Sequence, residues 1–224
     1  MGDLGRIHQL IISVGGQKLT FNLEVILMTW IVIAVLLVFG VLMTRKSGML
    51  PHSMQVVGEL FVGQFYQLTE DAVGKEYVEK YAPLICSVFM FVVFSNWLGV
   101  FPHLEEPTKD LNTPLSLGIM GFVIAHYAGI RSKGFKAYAK EYFQPVFFMM
   151  PLNVIGELAK IISISFRLFG NIMGGSIIIL VVTHLCFSVL LPPFLLAFFG
   201  IFVGTVQAFV FTMLTLVYIS IQVK

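Results

Sequence analysis

The sequence predicts an all-α integral membrane protein with five membrane-embedded helices and an amphipathic surface helix. The last two membrane helices are expected to be long and steeply tilted. Three observations carry this expectation. Of 224 residues, 58% are hydrophobic and only 12% are charged, whereas an average soluble domain carries about 25% charged residues. Apolar stretches long enough to cross the hydrocarbon core, which needs about 20 residues of helix, recur along the chain. Finally, Leu168 to Val223 contains no Asp, Glu, Lys or Arg at all.

In chain order, Val25–Met43 is uncharged and reads as span 1. It is followed by Arg45-Lys46 and has no small-residue cleavage site, so it is expected to be retained. Next, Val56, Val57, Leu60, Phe61, Phe65, Leu68, Ala72 and Val73 repeat at helical spacing among polar residues, the pattern of a helix lying on the membrane surface. Ala82–Phe101 is span 2, with Pro83 tolerated in its first turn, and Pro114–Ile130 is span 3. The long uncharged run is cut once, at Leu191-Pro192-Pro193. This leaves span 4 from Pro145 to Cys186 and span 5 from Phe194 to Val223. At 1.5 Å per residue these run about 63 Å and about 45 Å, against a hydrocarbon core of about 30 Å. Residues 1–224 form one membrane domain, with the first span and surface segment in 1–81 and the helices of the candidate channel in 82–224.

The loops set the orientation. Arg45, Lys46, Lys75 and Lys80 lie between spans 1 and 2, Arg131, Lys133, Lys136 and Lys140 between spans 3 and 4, and Lys224 after span 5. The positive-inside rule puts these regions in the cytoplasm. The N-terminus and the net acidic loop Pro102–Thr113 are then outside. The net charge of +2 gives no ground for nucleic-acid binding. Cys86 and Cys186 lie in apolar runs and suggest neither a disulfide framework nor a metal site. There is no nucleotide-binding loop or nucleophile triad.

Arg167 is the informative residue. Its guanidinium stays charged at any ordinary pH, and placing it at the centre of a membrane helix costs roughly 2.5–3.5 kcal/mol. A structural ion pair with Glu157 or a lipid phosphate is the plain explanation. Its neighbours argue for more. Asn153, Gly156 with Glu157, Lys160, Ser163, Arg167, Asn171 and Gly174 with Gly175 recur at spacings of three or four, a polar stripe on an apolar helix. The last helix has its own stripe: Gly200, Gly204, Gln207, Thr215, Tyr218 and Gln222, interrupted by Phe211. Close packing and interhelical hydrogen bonds explain the small and neutral residues, but a packing seam does not need Lys160 and Arg167. His184 and His126 read as interfacial residues, with proton relay as the alternative. Glu157 lies three residues before Lys160 and is placed to pair with it. His103, Glu105, Glu106 and Asp110 read first as a solvated loop, and second as an outer vestibule.

Ser163-Ile-Ser-Phe-Arg167-Leu-Phe-Gly-Asn171 resembles the signature of subunit a of F-type ATP synthases. Pro151-Leu-Asn153-Val-Ile-Gly-Glu157-Leu-Ala-Lys160, Gln207-Ala-Phe-Val-Phe211 with Leu216-Val-Tyr218, Ser95-Asn96-Trp-Leu-Gly and Pro107-Thr-Lys-Asp110-Leu-Asn112-Thr are similar to other segments of that family. The resemblance implies a non-catalytic stator subunit that offers H⁺ or Na⁺ two offset half-channels beside a ring of c subunits. The essential arginine aligns with Arg167 and the last-helix glutamine with Gln207. Asn153, Glu157, Lys160, Asn171, Ser176 and Tyr218 are the further ion-path candidates, and Asp110, Asn112 and His184 are candidates for the outer vestibule. Implied partners are the c-ring, peripheral-stalk b subunits, indirectly the catalytic head, and the lipid bilayer. No tightly bound cofactor or metal is expected, and the expected location is a bacterial plasma membrane. Many relatives carry an acidic residue nine positions after the arginine and a histidine seven before the glutamine. Here those positions are Ser176 and Gly200. An independent secondary ion transporter is the alternative function; it predicts discontinuous helices in corresponding halves, and no such halves are visible. A structural scaffold would not need Arg167 and Asn171 in one stripe.

Overall fold

The fold is described from a computed structural model, which covers residues 9–14, 17–44, 53–101, 104–142, 150–186 and 191–224. Arg45-Lys46, His103 and the expected start of span 4 at Pro145 lie outside the described residues. Among the described residues, five helices are long and apolar enough to cross a membrane: Leu23–Met43, Lys75–Val100, Asn112–Lys133, Met150–Leu185 and Leu191–Val223. The chain is a multi-pass membrane protein.

The first described element is one the sequence reading did not anticipate. Strands β1 (Gln9–Val14) and β2 (Gln17–Asn22) pair antiparallel, with Gln9 opposite Asn22 and Val14 opposite Gln17. Gly15-Gly16 stands between them in the sequence, a dipeptide that favours tight hairpin turns. Two six-residue strands carry a far weaker sequence signal than the apolar helix that follows them. The Asn22 amide donates to the Asp110 carboxylate and ties the hairpin to the acidic loop.

Helix α1 (Leu23–Thr44) follows directly. It touches the bundle along one narrow line, through buried Val32 and a Phe39–Phe94 ring contact of 6.0 Å. Leu27, Trp30, Leu37, Val38 and Leu42 are exposed, as a lipid-facing surface would be. Helix α2 (Ser53–Val73) splits its predicted apolar repeat between two sides. Phe61 and Phe65 stack with Phe89 of the next helix at centroid distances of 5.8 and 4.8 Å, and Val73 is buried. Val56, Val57 and Leu60 face outward.

Helix α3 (Lys75–Trp97) begins earlier than the expected span. Its charged first turns, with Lys75, Glu76, Glu79 and Lys80, continue the helix beyond the apolar stretch. Gly74 turns the chain from α2 into α3 at φ 88, and Gly134 turns α4 (Asn112–Lys133) into α5 (Phe135–Tyr142) at φ 82. A side chain is strained in both conformations. Helix α6 (Met150–Cys186) follows, at about 55 Å nearly twice the hydrocarbon thickness. Helix α7 (Leu191–Leu196) starts with Pro192 and Pro193, where missing amide donors cost nothing. It passes through a π-helical stretch, Ala197–Val203, into α8 (Gly204–Val223).

Helix α8 is the axis of the bundle, packing against α2, α3, α4 and α6. Ala208, Phe211, Leu216 and Ile219 join Ile85, Val92, Ala125, Leu168 and Ile172 in one core. Two polar clamps hold its ends. At the acidic end, fully buried Asn96 donates to the Gly204 carbonyl at 2.8 Å and accepts from the Thr108 hydroxyl at 2.7 Å. At the basic end, Tyr77 meets the Ser132 hydroxyl at 3.0 Å, and Ser132 donates to the Val223 carbonyl at 3.1 Å. In both clamps the polar side chains find partners inside the chain, which lipid does not supply.

Candidate functional site

Helix α6 packs inward through Ile161, Ile164, Ser165, Leu168, Ile172 and Gly175. Arg167 lies off that face. Its side chain is exposed, as are Ser163, Phe166, Gly170 and Asn171. Among the described residues it has no ion-pair, hydrogen-bond or ring partner. The chain therefore presents a permanent cation on the outer surface of an apolar helix without neutralising it. One turn further, the Asn171 amide donates to Gln207 Oε1 at 2.6 Å. Gln207 is 5% exposed, and its Nε2 has no partner among the described residues. The two polar stripes seen in the sequence thus meet at Asn171 and Gln207.

Two cavities flank this point. At the acidic end, a cavity of about 370 Å³ is lined by Glu105, Glu106 and Lys109 from the loop, by Asn171, Ser176 and His184 from α6, and by Gly200 of the π-helical stretch. At the basic end, a cavity of about 280 Å³ is lined by Asn153, Glu157, Lys160 and Gln222. A space of about 20 Å³ beside it also touches His126, Thr215 and Tyr218. Along α6 the basic-end group stops at Ile164 and the acidic-end group starts at Asn171, and Arg167 lines none of the three.

The basic-end candidates come together as an ion pair and a ring contact. Lys160 Nζ is 2.6 Å from Glu157 Oε1 and 5.6 Å from the Tyr218 ring centroid. The Tyr138 hydroxyl donates to Gln222 at 2.9 Å, closing this end from α5. At the acidic end the outcome is mixed. His184 lines the cavity, but Asp110 and Asn112 do not. The Asp110 carboxylate instead accepts the Asn112 backbone and side-chain amides at 3.0 and 2.8 Å, which shapes the start of α4.

From sequence, Glu106 is one of four loop residues read first as solvated and only second as an outer vestibule. Its backbone is held next to Pro107 and Thr108, both buried, and its side chain turns into the cavity. Burial raises its carboxyl from the ordinary 4.5 to about 7. Lys109 and the Ser176 hydroxyl pull against that rise, and Glu105 adds to it. Nothing in a loop reading Glu-Glu-Pro-Thr-Lys-Asp distinguishes one glutamate from its neighbour; the contact across to Ser176 does.

Residues 26–220 match the model of the family described as ATP synthase A chain. The chain belongs to that family. ATP synthase subunit a of Moorella thermoacetica is 40% identical over 193 residues, covering 86% of this chain and 87% of the relative. Subunit a of Aliarcobacter butzleri is 36% identical over 223 residues, covering 96% and 95%. The chloroplastic subunit a of Stigeoclonium helveticum is 34% identical over 211 residues, covering 90% and 85%. As an ATP synthase A chain, the protein is a membrane-embedded subunit of a larger complex. The A chain match begins within α1, just after the hairpin and its link to Asp110.

Proposed function

We propose that this A chain is the ion-conducting stator subunit of a rotary F-type synthase. The two cavities are the ends of offset half-channels, one for each side of the membrane, and Arg167 is the barrier between them. The observation that carries this reading is an exposed, unpartnered Arg167 on α6 between two polar cavities. Lys160 and Asn171 are separated by roughly 16 Å of helix axis at 1.5 Å per residue, and Arg167 between them lines neither cavity, so an ion needs a carrier to pass from one to the other. A c-ring beside α6 supplies that carrier.

The physics follows from the fixed charge. A cation in a poorly solvated place stabilises an ionised carboxylate next to it. A ring carboxylate passing Arg167 therefore gives up its H⁺ or Na⁺ first and regains an ion on the other side. The same charge repels ions that would leak directly between cavities. The membrane potential contributes roughly 2.3 kcal/mol per charge per 100 mV. The chain hydrolyses nothing by itself, holds no resident cofactor and works with peripheral-stalk b subunits and a separate catalytic head. The positive-inside rule puts the basic end in the cytoplasm of a bacterial cell, with the N-terminus outside.

Ion-coupled ATP synthesis by the whole complex in liposomes tests this directly. Arg167→Ala is expected to abolish synthesis while the complex still assembles, and Arg167→Lys to impair it severely. Coupled synthesis at the wild-type rate in Arg167→Ala would remove the half-channel reading. Varying Na⁺ at fixed pH then identifies the ion.

A further inference from the structure

We propose that Glu106, delivered from the loop between α3 and α4, is the proton-exchanging carboxylate of the acidic-end cavity. The inference rests on the half-channel reading above and adds the group that loads it. Between Arg167 and His184, α6 contains no titratable side chain. Leu191 to Val203, which form another wall, contain none either. The α6 lining consists of amide, hydroxyl and apolar groups up to His184. These can pass a proton along hydrogen bonds, but none can store one near neutral pH.

Two carboxylates reach the cavity, and their settings differ. Glu105 has a side chain 61% exposed and sits 4.0 Å from Lys109. Glu106 turns inward until a Cβ placed on Gly99 would fall only 1.9 Å from its Oε1. A glycine at 99 is therefore what makes room for this carboxylate. Ser176 of α6 lines the same cavity as Glu106. Its backbone carbonyl accepts the Lys109 amide at 3.0 Å, and the adjoining Thr108 is clamped to Asn96. The carboxylate is thus fixed between loop and helix, not free in a solvated segment. The titratable and charged groups around it are Glu105 and Lys109 from its own loop and His184 from α6. With its carboxyl raised by burial to about 7, Glu106 takes a proton from cavity water near neutral pH and releases it inward toward the Asn171–Gln207 pair. One proton enters from water and one leaves to the ring carboxylate, so Glu106 returns to its starting state each cycle.

The test is proton-driven ATP synthesis by the whole complex in Na⁺-free liposomes, read as rate against the pH on the acidic-end side. Glu106→Gln is expected to lower the rate at least tenfold and flatten the pH dependence near 7, while Glu79→Gln, exposed on the first turns of α3 and away from both cavities, stays within twofold of wild type. Returning a carboxylate from the opposite wall, in Glu106→Gln with Ser176→Glu, is expected to restore part of the rate. Wild-type rate and pH profile in Glu106→Gln would overturn the proposal, as would a strict Na⁺ requirement in the wild type. If Glu106→Gln fails to assemble, Glu106→Asp decides: an unchanged rate and midpoint overturns the proposal, and a midpoint moved to lower pH upholds it. Arg167→Ala, assayed in parallel, separates the two levels. Loss there with no effect of Glu106→Gln removes only the role of Glu106, whereas retained coupling in Arg167→Ala removes the half-channels themselves.

Discussion

Helices α6 and α8 carry polar stripes that look alike in sequence and lie oppositely in the fold. Along α8 and the π-helical stretch before it, Gly200, Gly204, Gln207, Thr215 and Gln222 are all buried. Glycine there lets backbones meet: a Cβ on Gly204 would sit 3.0 Å from Asn96 Cβ, and one on Gly121 would sit 3.1 Å from a Thr215 methyl. On α6, Ser163, Arg167, Gly170 and Asn171 are exposed. An inward stripe of small and neutral residues lets helices pack closely in lipid, and Gln207 Oε1 and Gln222 find partners within the chain. An outward stripe with an unpaired cation is left for something outside the chain to complete. The difference separates residues whose loss unfolds the bundle from residues whose loss stops its work.

The largest expected effect breaks the comparison on the α6 side. Arg167→Ala should remove essentially all coupled synthesis. It should leave the thermal midpoint of the detergent-solubilised complex nearly unchanged, because the side chain is exposed and has no ion-pair or hydrogen-bond partner among the described residues. A large drop in that midpoint would mean that Arg167 is structural after all. Next comes the inward stripe: Gly204→Val should cost about 1–3 kcal/mol by overpacking against Asn96. It would show first as reduced assembly, measured by the amount of intact complex recovered. If assembly is normal and only synthesis falls, the two stripes do not divide the labour as described.

A smaller effect sharpens the contrast between the two cavities. Glu106 is raised from 4.5 to about 7 in the folded chain. Between those values the folded protein holds a proton that the unfolded chain has released. This contribution to stability is present below about 4.5 and is lost as pH rises through about 7. The thermal midpoint should therefore fall between pH 5 and pH 8, and Glu106→Gln should shrink that fall. An equal fall in both proteins would assign the pH dependence to other groups. Smallest of all is the basic end. Lys160→Met breaks an ion pair whose lysine side chain is 37% exposed, a type worth about 0–1 kcal/mol. Stability should hardly move, and any loss of synthesis would then report on the ion path.

The spans were legible because hydrocarbon imposes a length and a composition. Val25–Met43 lies within α1, and Pro114–Ile130 lies within α4. Boundaries were less so: α3 continues into the charged turn at Lys75 because a helix end in water needs no apolar residues. What sets Glu106 apart from Glu105 could not be read from its neighbours, and the sequence held no sign that Asn112 donates to Asp110 at the start of α4.

By itself, the sequence determined that the chain is a multi-pass membrane protein with five stretches long and apolar enough to cross, which loops are basic, and that a cation stands in the fourth of those stretches. Periodicity, length and charge are properties of single segments, and the bilayer acts on each segment separately. Tertiary structure alone decided which stripe faces in and which out, and that Asn171 meets Gln207. It also carried Glu106, far from α6 in sequence, to Ser176. Those outcomes depend on distances between elements that are remote along the chain, and no local pattern contains such distances.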